Sequence, residues 1–159
     1  MTLTTGDKAP DFCLTDKDGQ EICLKNIKSK YTLVYFYPKD NTPGCTTEAR
    51  GFQHLKEEFD NKDVTIIGIS GGDEKSKRSF CEKNGLDIIL LSDKDYSVSS
   101  TYEVCDEKKM AGRTSKAITR ISFLLDKDKN IIKTYPNVKP ETHPHDALDD
   151  IKELEKLAI

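Results

Sequence analysis

Short apolar runs alternate along the chain with segments whose apolar residues recur at helical spacing, the patterning of an α/β domain. DFCLTDKDGQEICL (11–24) predicts an N-terminal β-hairpin turning at Lys17-Asp18-Gly19. A hairpin symmetric about Asp18 pairs Cys13 with Cys23, Phe12 with Leu24 and Leu14 with Ile22. With the apolar pairs toward the core, the two cysteines share the outer face. YTLVYFY (31–37) predicts a buried strand ended by Pro38, and Phe52, Leu55 and Phe59 mark a helix running from Pro43 or Gly44 to Phe59. VTIIGIS (64–70) predicts a second buried strand, followed by a helix from Asp73 or Glu74 to about Asn84 with Gly85 as its stop. IILL (88–91) is a third short strand, YSVSSTYEV (96–104) fits a short helix, and EVCDEKK (103–109) reads as a loop. AITRISFLLD (117–126) and IIKTYP (131–136) flank a turn at KDKN. Pro144 opens a last helix whose inner face carries Leu148, Ile151, Leu154 or Glu155, and Ala158.

Composition narrows the class. The 159 residues contain no repeat, linker or low-complexity segment, so a single domain over 1–159 is expected. A hydrophobic fraction of 35% supports a core, and 33% charged residues indicate a well-solvated surface. No run reaches the roughly 20 apolar residues of a membrane span. MTLTTGDKAP lacks the basic start and apolar stretch of a signal peptide, so a cytoplasmic location is expected if Met1 begins the unprocessed chain. The net charge is −3, and KSK (28–30) and EKSKR (74–78) read as solvated faces, which argues against nucleic-acid binding.

Five cysteines, at 13, 23, 45, 81 and 105, form an odd set without CxxC spacing. In a reducing compartment this pattern predicts mostly free thiols with one working nucleophile, and Cys13 and Cys23 are expected to stay reduced. His143 and His145 are close together but distant from any cysteine, and His54 stands alone, so no metal site and no cofactor are expected.

YFYPKDNTPGCTTEARGF (35–52) holds the candidate chemistry. A strand, a polar turn and a helix start can activate a thiol, because free backbone N–H groups and the positive end of the helix dipole favour the thiolate. Pro43 suits a first-turn position, having no N–H to satisfy, and Thr42 can cap the helix or turn its hydroxyl toward a ligand above the sulfur. These residues alone leave Cys45 open between an inert structural thiol and an activated one.

PKDNTPGCTTEA contains the pattern P-x-x-x-T-x-x-C, filled by Pro38, Thr42 and Cys45, and resembles the peroxiredoxin active-site loop. Together with GDKAPDFCLTDKDG, LLSD (90–93) and TRISFLLDKD (119–128), it is similar over most of the chain to the bacterioferritin comigratory protein, or peroxiredoxin Q, subfamily. The resemblance implies a thioredoxin-like fold, a central mixed sheet flanked by helices, and reduction of hydrogen peroxide and organic hydroperoxides. Cys45 then matches the peroxidatic cysteine, Thr42 the peroxide-contacting threonine, Pro38 the loop proline and Arg120 the guanidinium that stabilises thiolate and leaving oxygen. Glu48 matches a subfamily glutamate, read either as a contact behind the site or as an ordinary charge near a helix N-terminus.

Many members carry a resolving cysteine five residues after the nucleophile, where this chain has Arg50. Cys81, 36 residues after Cys45 (81 − 45), fits the alternative location on the next helix. One position beyond the core anchor Phe80, it is expected near the surface. The resulting expectation is a Cys45–Cys81 disulfide recycled by thioredoxin, with glutathione or glutaredoxin as alternative reductant and a monomer favoured over a dimer. The alternatives are a one-cysteine peroxidase resolved by an external thiol, and a non-enzymatic thioredoxin-fold binding or chaperone module.

Overall fold

The computed structural model describes residues 3–157, the side chains of 108–110 and 113–114 excepted. Fifteen segments follow in order: β1 (Cys13–Thr15), β2 (Glu21–Cys23), a 3-10 turn (Leu24–Asn26), β3 (Tyr31–Phe36), α1 (Pro43–His54), α2 (Lys56–Asn61), β4 (Val64–Ser70), α3 (Glu74–Asn84), β5 (Ile89–Ser92), α4 (Ser97–Thr101), β6 (Cys105–Met110), β7 (Arg113–Ile118), β8 (Ile121–Leu125), β9 (Ile131–Tyr135) and α5 (His143–Leu157). Seven strands form one sheet in the order β2-β1-β5-β4-β3-β8-β9, with β3, β4 and β5 parallel and the other pairings antiparallel.

Alternation along β3 sorts the core into two layers. Tyr31, Leu33, Tyr35 and Tyr37 face a layer that includes Cys45, Ala49 and Phe52 of α1, Phe59 of α2, Phe80 and Cys81 of α3, and Ala147, Leu148 and Ile151 of α5. Val34 and Phe36 face the other layer, with Phe12, Leu24, Tyr102, Val104 and Phe123. The strand ending at Phe36 thus delivers the next turn, and Cys45 after it, to the helical side. Ala158, expected on the inner face of α5, lies outside the described residues.

Three expectations change. The helix expected over 43–59 is two, because Leu55 takes φ −96° and ψ 4° and restarts the chain at Lys56. AITRISFLLD is not one strand: β7 ends at Ile118 in a separate ribbon with β6, and β8 enters the main sheet at Ile121. The segment read as a loop around Cys105 is the first strand of that ribbon, paired Cys105 to Ile118. Its sequence, CDEKKM, carries no apolar alternation, and the described charged residues Asp106 and Glu107 are exposed.

A fourth correction concerns the N-terminal hairpin. The register is the symmetric one, Cys13 opposite Cys23, Leu14 opposite Ile22 and Thr15 opposite Glu21. The cysteines, expected to stay reduced, are joined by a disulfide. Directly paired strands bring the two Cα atoms to 4.1 Å, so the sulfurs meet without any rearrangement of the backbone.

Candidate active site

Cys45 occupies the third position of α1. Thr42 stands at the N-cap with extended dihedrals (φ −89°, ψ 153°), Pro43 follows, and the Thr42 carbonyl accepts the first helical bond from Thr46 N at 2.9 Å. Thr42 does not cap with its side chain: its hydroxyl donates instead to the Lys39 carbonyl at 3.0 Å. That leaves the hydroxyl lone pairs for an incoming donor, and leaves first-turn N–H groups directed at the start of the helix, where the thiol sits. Cys45 is buried.

Arg120 lies in the two-residue link between β7 and β8, where the chain passes from ribbon to sheet. From there its guanidinium reaches back to α1: Nη2 donates to Cys45 Sγ at 3.3 Å and Nη1 to Glu48 Oε1 at 2.9 Å. The planar fork can satisfy both acceptors at once. Gly44 makes the approach fit, since a Cβ there would stand 3.2 Å from Arg120 Nη2 and 3.6 Å from Pro140 Cγ.

Glu48 is one turn beyond Cys45 and 0% exposed. Burial raises its carboxyl to about 7, against the lowering effect of the Arg120 guanidinium. Its Oε2 has no hydrogen-bond partner. For Arg120 burial works against the charge, but the bonds and charges of Cys45 and Glu48 outweigh it and hold the group above its ordinary range. Cys45, Glu48 and Arg120 are therefore brought together in one cluster. Pro38 is exposed at the end of β3 and lines a groove with Lys39, Asp40, Gly71, Ser76 and Tyr96.

Cys81 is on α3, which packs on the same face of the sheet as α1. It is 4% exposed, not near the surface as its position on the helical wheel suggested, and burial raises its thiol. The inner face of α3 is wider than the single anchor Phe80 implied, taking in Lys77, Phe80 and Cys81. Arg50 is exposed on α1, and Cys105 is a free, half-buried thiol on β6.

Two buried polar groups near the site had no signal in the sequence. Lys77, read within EKSKR as solvated, is 0% exposed and paired at 2.9 Å with Asp40, which is 2% exposed. Asp40 also accepts from Tyr37 Oη at 2.6 Å and Ser76 Oγ at 2.7 Å, and Lys77 donates to the Gly71 carbonyl at 2.8 Å. This network ties the turn before Cys45 to the first turn of α3, four residues ahead of Cys81. On the other side His143 is buried, with Nε2 2.8 Å from Ser122 Oγ and its ring edge-on to Phe52 and Tyr135. Burial lowers the His143 imidazole to about 4. The periodicity of α5 had marked its apolar face from Leu148 onward but gave no reason to seat a histidine in the core.

Comparison with known proteins identifies the family and the fold. Residues 5–134 match the AhpC/TSA family. The chain is 39% identical to Bacillus subtilis peroxiredoxin Bcp over 154 residues, covering 97% of this chain and 98% of the relative, and 39% identical to Escherichia coli K12 peroxiredoxin Bcp over 151 residues, covering 95% and 97%. Among solved structures, Xylella fastidiosa PrxQ superposes with a TM-score of 0.89 at 30% identity, covering 98% of this chain and 99% of that one. Xanthomonas campestris peroxiredoxin Q gives 0.82 at 34% identity, covering 89% and 90%. Its mixed sheet and flanking helices are those of the thioredoxin-fold peroxiredoxins. A match that spans the fold and holds at this identity over nearly the whole length settles the family: the chain belongs to the AhpC/TSA family and, within it, to the Bcp/PrxQ peroxiredoxins, thiol-dependent peroxidases.

Proposed function

We propose that Cys45 is the peroxidatic thiol, that Thr42 and Arg120 bind and polarise the hydroperoxide, and that Cys81 resolves the oxidised sulfur. The observation that carries this reading is the Arg120 guanidinium held between Cys45 Sγ and Glu48 Oε1. The guanidinium beside the sulfur and the first-turn N–H groups of α1 can stabilise the negative charge that the attacking sulfur carries. Attack on the near peroxide oxygen forms an S–O bond and breaks O–O; the departing oxygen carries the electron pair away and takes a proton from solvent. Charge moves from sulfur to that oxygen, and Arg120 can follow it without reorganisation. Thr42 can accept from the hydroperoxide O–H and so align O–O with the sulfur. Glu48 orients the guanidinium, and Pro38 shapes the turn.

Cys45 leaves this step as a sulfenic acid. The Cys81 thiolate then attacks the Cys45 sulfur and displaces hydroxide, giving a disulfide that a thioredoxin-like dithiol reduces. Both thiols lie in one apolar layer, but each is fixed in a helix, so bonding them requires local unwinding. A Xanthomonas campestris relative has been studied for alkyl peroxide reduction, which supports organic hydroperoxides beside hydrogen peroxide as substrates.

The burial of Cys81 and its raised thiol favour a second reading, a one-cysteine peroxidase resolved by an external thiol. Peroxide consumption coupled to thioredoxin and its reductase separates them. Cys45→Ser abolishes turnover on either reading, whereas Cys81→Ser does so only on the first; unchanged peroxide consumption by Cys45→Ser would refute both and leave a binding module.

A further inference from the structure

The disulfide at the far edge of the sheet is chemistry that the peroxide site does not use. Cys13 and Cys23 face each other across β1 and β2, and Glu21, two residues before Cys23, points to the same side of its strand. Their ligand atoms, one from each residue, all lie within 4.8 Å of one another, with Cys13 and Glu21 exposed. Strand β2 is an edge strand of the sheet, and solvent reaches the set from the side of Cys13 and Glu21, Cys23 being buried at 7% exposure. The hairpin register legible in the sequence already pairs the two cysteines, and the structure adds Glu21 to the set.

We propose that the reduced hairpin is a binding site for a thiophilic divalent cation, Zn2+ by preference, which oxidation to the disulfide empties. Two thiolates and one carboxylate are a soft set with a carboxylate complement, suited to Zn2+ and poorly suited to Mg2+ or Ca2+. Tetrahedral Zn2+ with Zn–S near 2.3 Å holds two sulfurs roughly 3.8 Å apart, a separation that cross-strand cysteines reach by side-chain rotation once the bond is cut. Water completes the coordination. A dithiol reductant of the class that recycles peroxiredoxins opens the disulfide by thiol–disulfide exchange, its own dithiol becoming the disulfide. The cation then replaces two thiol protons.

Discharge uses the protein's own substrate class. One bound thiolate attacks a hydroperoxide R′OOH, forming S–O and releasing R′O−, which is protonated to R′OH. The second thiolate attacks that sulfur, forming S–S and expelling hydroxide, which is protonated to water. In sum, two thiolates, the cation, R′OOH and two protons become the disulfide, the free cation, R′OH and water. The hairpin also touches α3, through Thr15 Oγ1 to Glu74 Oε1 at 2.8 Å and Arg78 Nη2 to the Lys17 carbonyl at 2.9 Å. The loading state of the hairpin is thereby placed next to the helix that carries Cys81.

The test uses full-length protein with Co2+ and Zn2+ as probes, anaerobically, before and after reduction. Reduced protein is expected to take up one equivalent of Co2+ with thiolate-to-cobalt charge-transfer absorption, and Zn2+ displaces it. Cys13→Ser is expected to weaken Zn2+ at least 100-fold and Glu21→Gln about tenfold, and hydrogen peroxide to release one equivalent of Zn2+ from the loaded protein. Cys45→Ser and Cys81→Ser leave the uptake unchanged, which separates this site from the peroxide chemistry. Equal cobalt spectra for the reduced protein and for Cys13→Ser would overturn the proposal, as would uptake lost in Cys45→Ser. Should Cys13→Ser fold poorly, the comparison of oxidised with reduced wild-type protein decides: equal affinity refutes the site.

Discussion

Glu48→Gln isolates the cost of burying a carboxyl one turn beyond Cys45. Its carboxyl is raised from 4.5 to about 7, chiefly by burial and despite Arg120. Between those values the folded protein holds a proton that the unfolded chain has already lost, so the stability of the folded state falls as pH rises through the window. The loss is complete above about pH 7. At about 1.4 kcal/mol per unit, the rise corresponds to about 3 kcal/mol. The amide keeps the shape and an oxygen for Arg120 Nη1 but has no charge to bury, so the variant lacks this term. Urea unfolding of both proteins at steps from pH 4 to 8.5 reads it directly. The difference in unfolding free energy, variant minus wild type, is expected to climb by about 3 kcal/mol across the range. Any constant offset from the amide's packing cancels in the slope, as do other titrating groups shared by the two proteins. Parallel curves would show that Glu48 stays ionised in the fold, and the assigned cause would be wrong.

Further tests address its neighbours. Arg120→Ala is expected to slow the single-turnover reaction with peroxide about 100-fold and to slow alkylation of Cys45 at neutral pH, and a change within threefold would remove Arg120 from the mechanism. Lys77→Met leaves Asp40 buried without its cation and is expected to destabilise the fold by about 3–5 kcal/mol in urea, part of which Lys77→Met/Asp40→Asn restores. A loss below about 1 kcal/mol would contradict the buried pairing. The His143 ring is expected to titrate near pH 4 by NMR, the stability tied to its neutral form being lost as pH falls from 6.5 toward 4; titration near 6.5 would mean that the ring is solvated.

The sequence made the buried frame legible where one physical demand dominated. YTLVYFY and VTIIGIS are continuous apolar runs because β3 and β4 are covered on both faces, and the third strand begins one residue later than IILL suggested. Asp73 accepts from Ser76 N at 2.9 Å and Gly85 takes φ 60°, so both ends of α3 follow from local chemistry. Strand β6 is not legible in the sequence because CDEKKM carries no apolar alternation. Lys77 and Asp40 were missed because a charge is buried only when a partner distant in sequence meets it, here across 37 positions. In the site, Cys45, Thr42 and Pro38 fall in one short stretch, but it is the family resemblance that gives them roles. Arg120 needed the family resemblance, since nothing in TRISF reveals that the chain leaves one sheet and enters another at that residue. The hairpin disulfide follows from a register that the sequence shows: a reducing compartment argues for free thiols, but direct cross-strand pairing brings the two sulfurs together.

On the proposed function, peroxide oxygen is delivered to Cys45 and the oxidation passes to Cys81. Peptide mass spectrometry of the reduced protein after one equivalent of hydrogen peroxide tests it most directly. A Cys45–Cys81 crosslinked peptide, replaced by a trappable Cys45 sulfenate in Cys81→Ser, is the predicted result. Peroxide consumed while Cys45 remains an unmodified thiol would contradict the account, and a wild-type Cys45 sulfenate that persists without crosslinking would overturn the role given to Cys81.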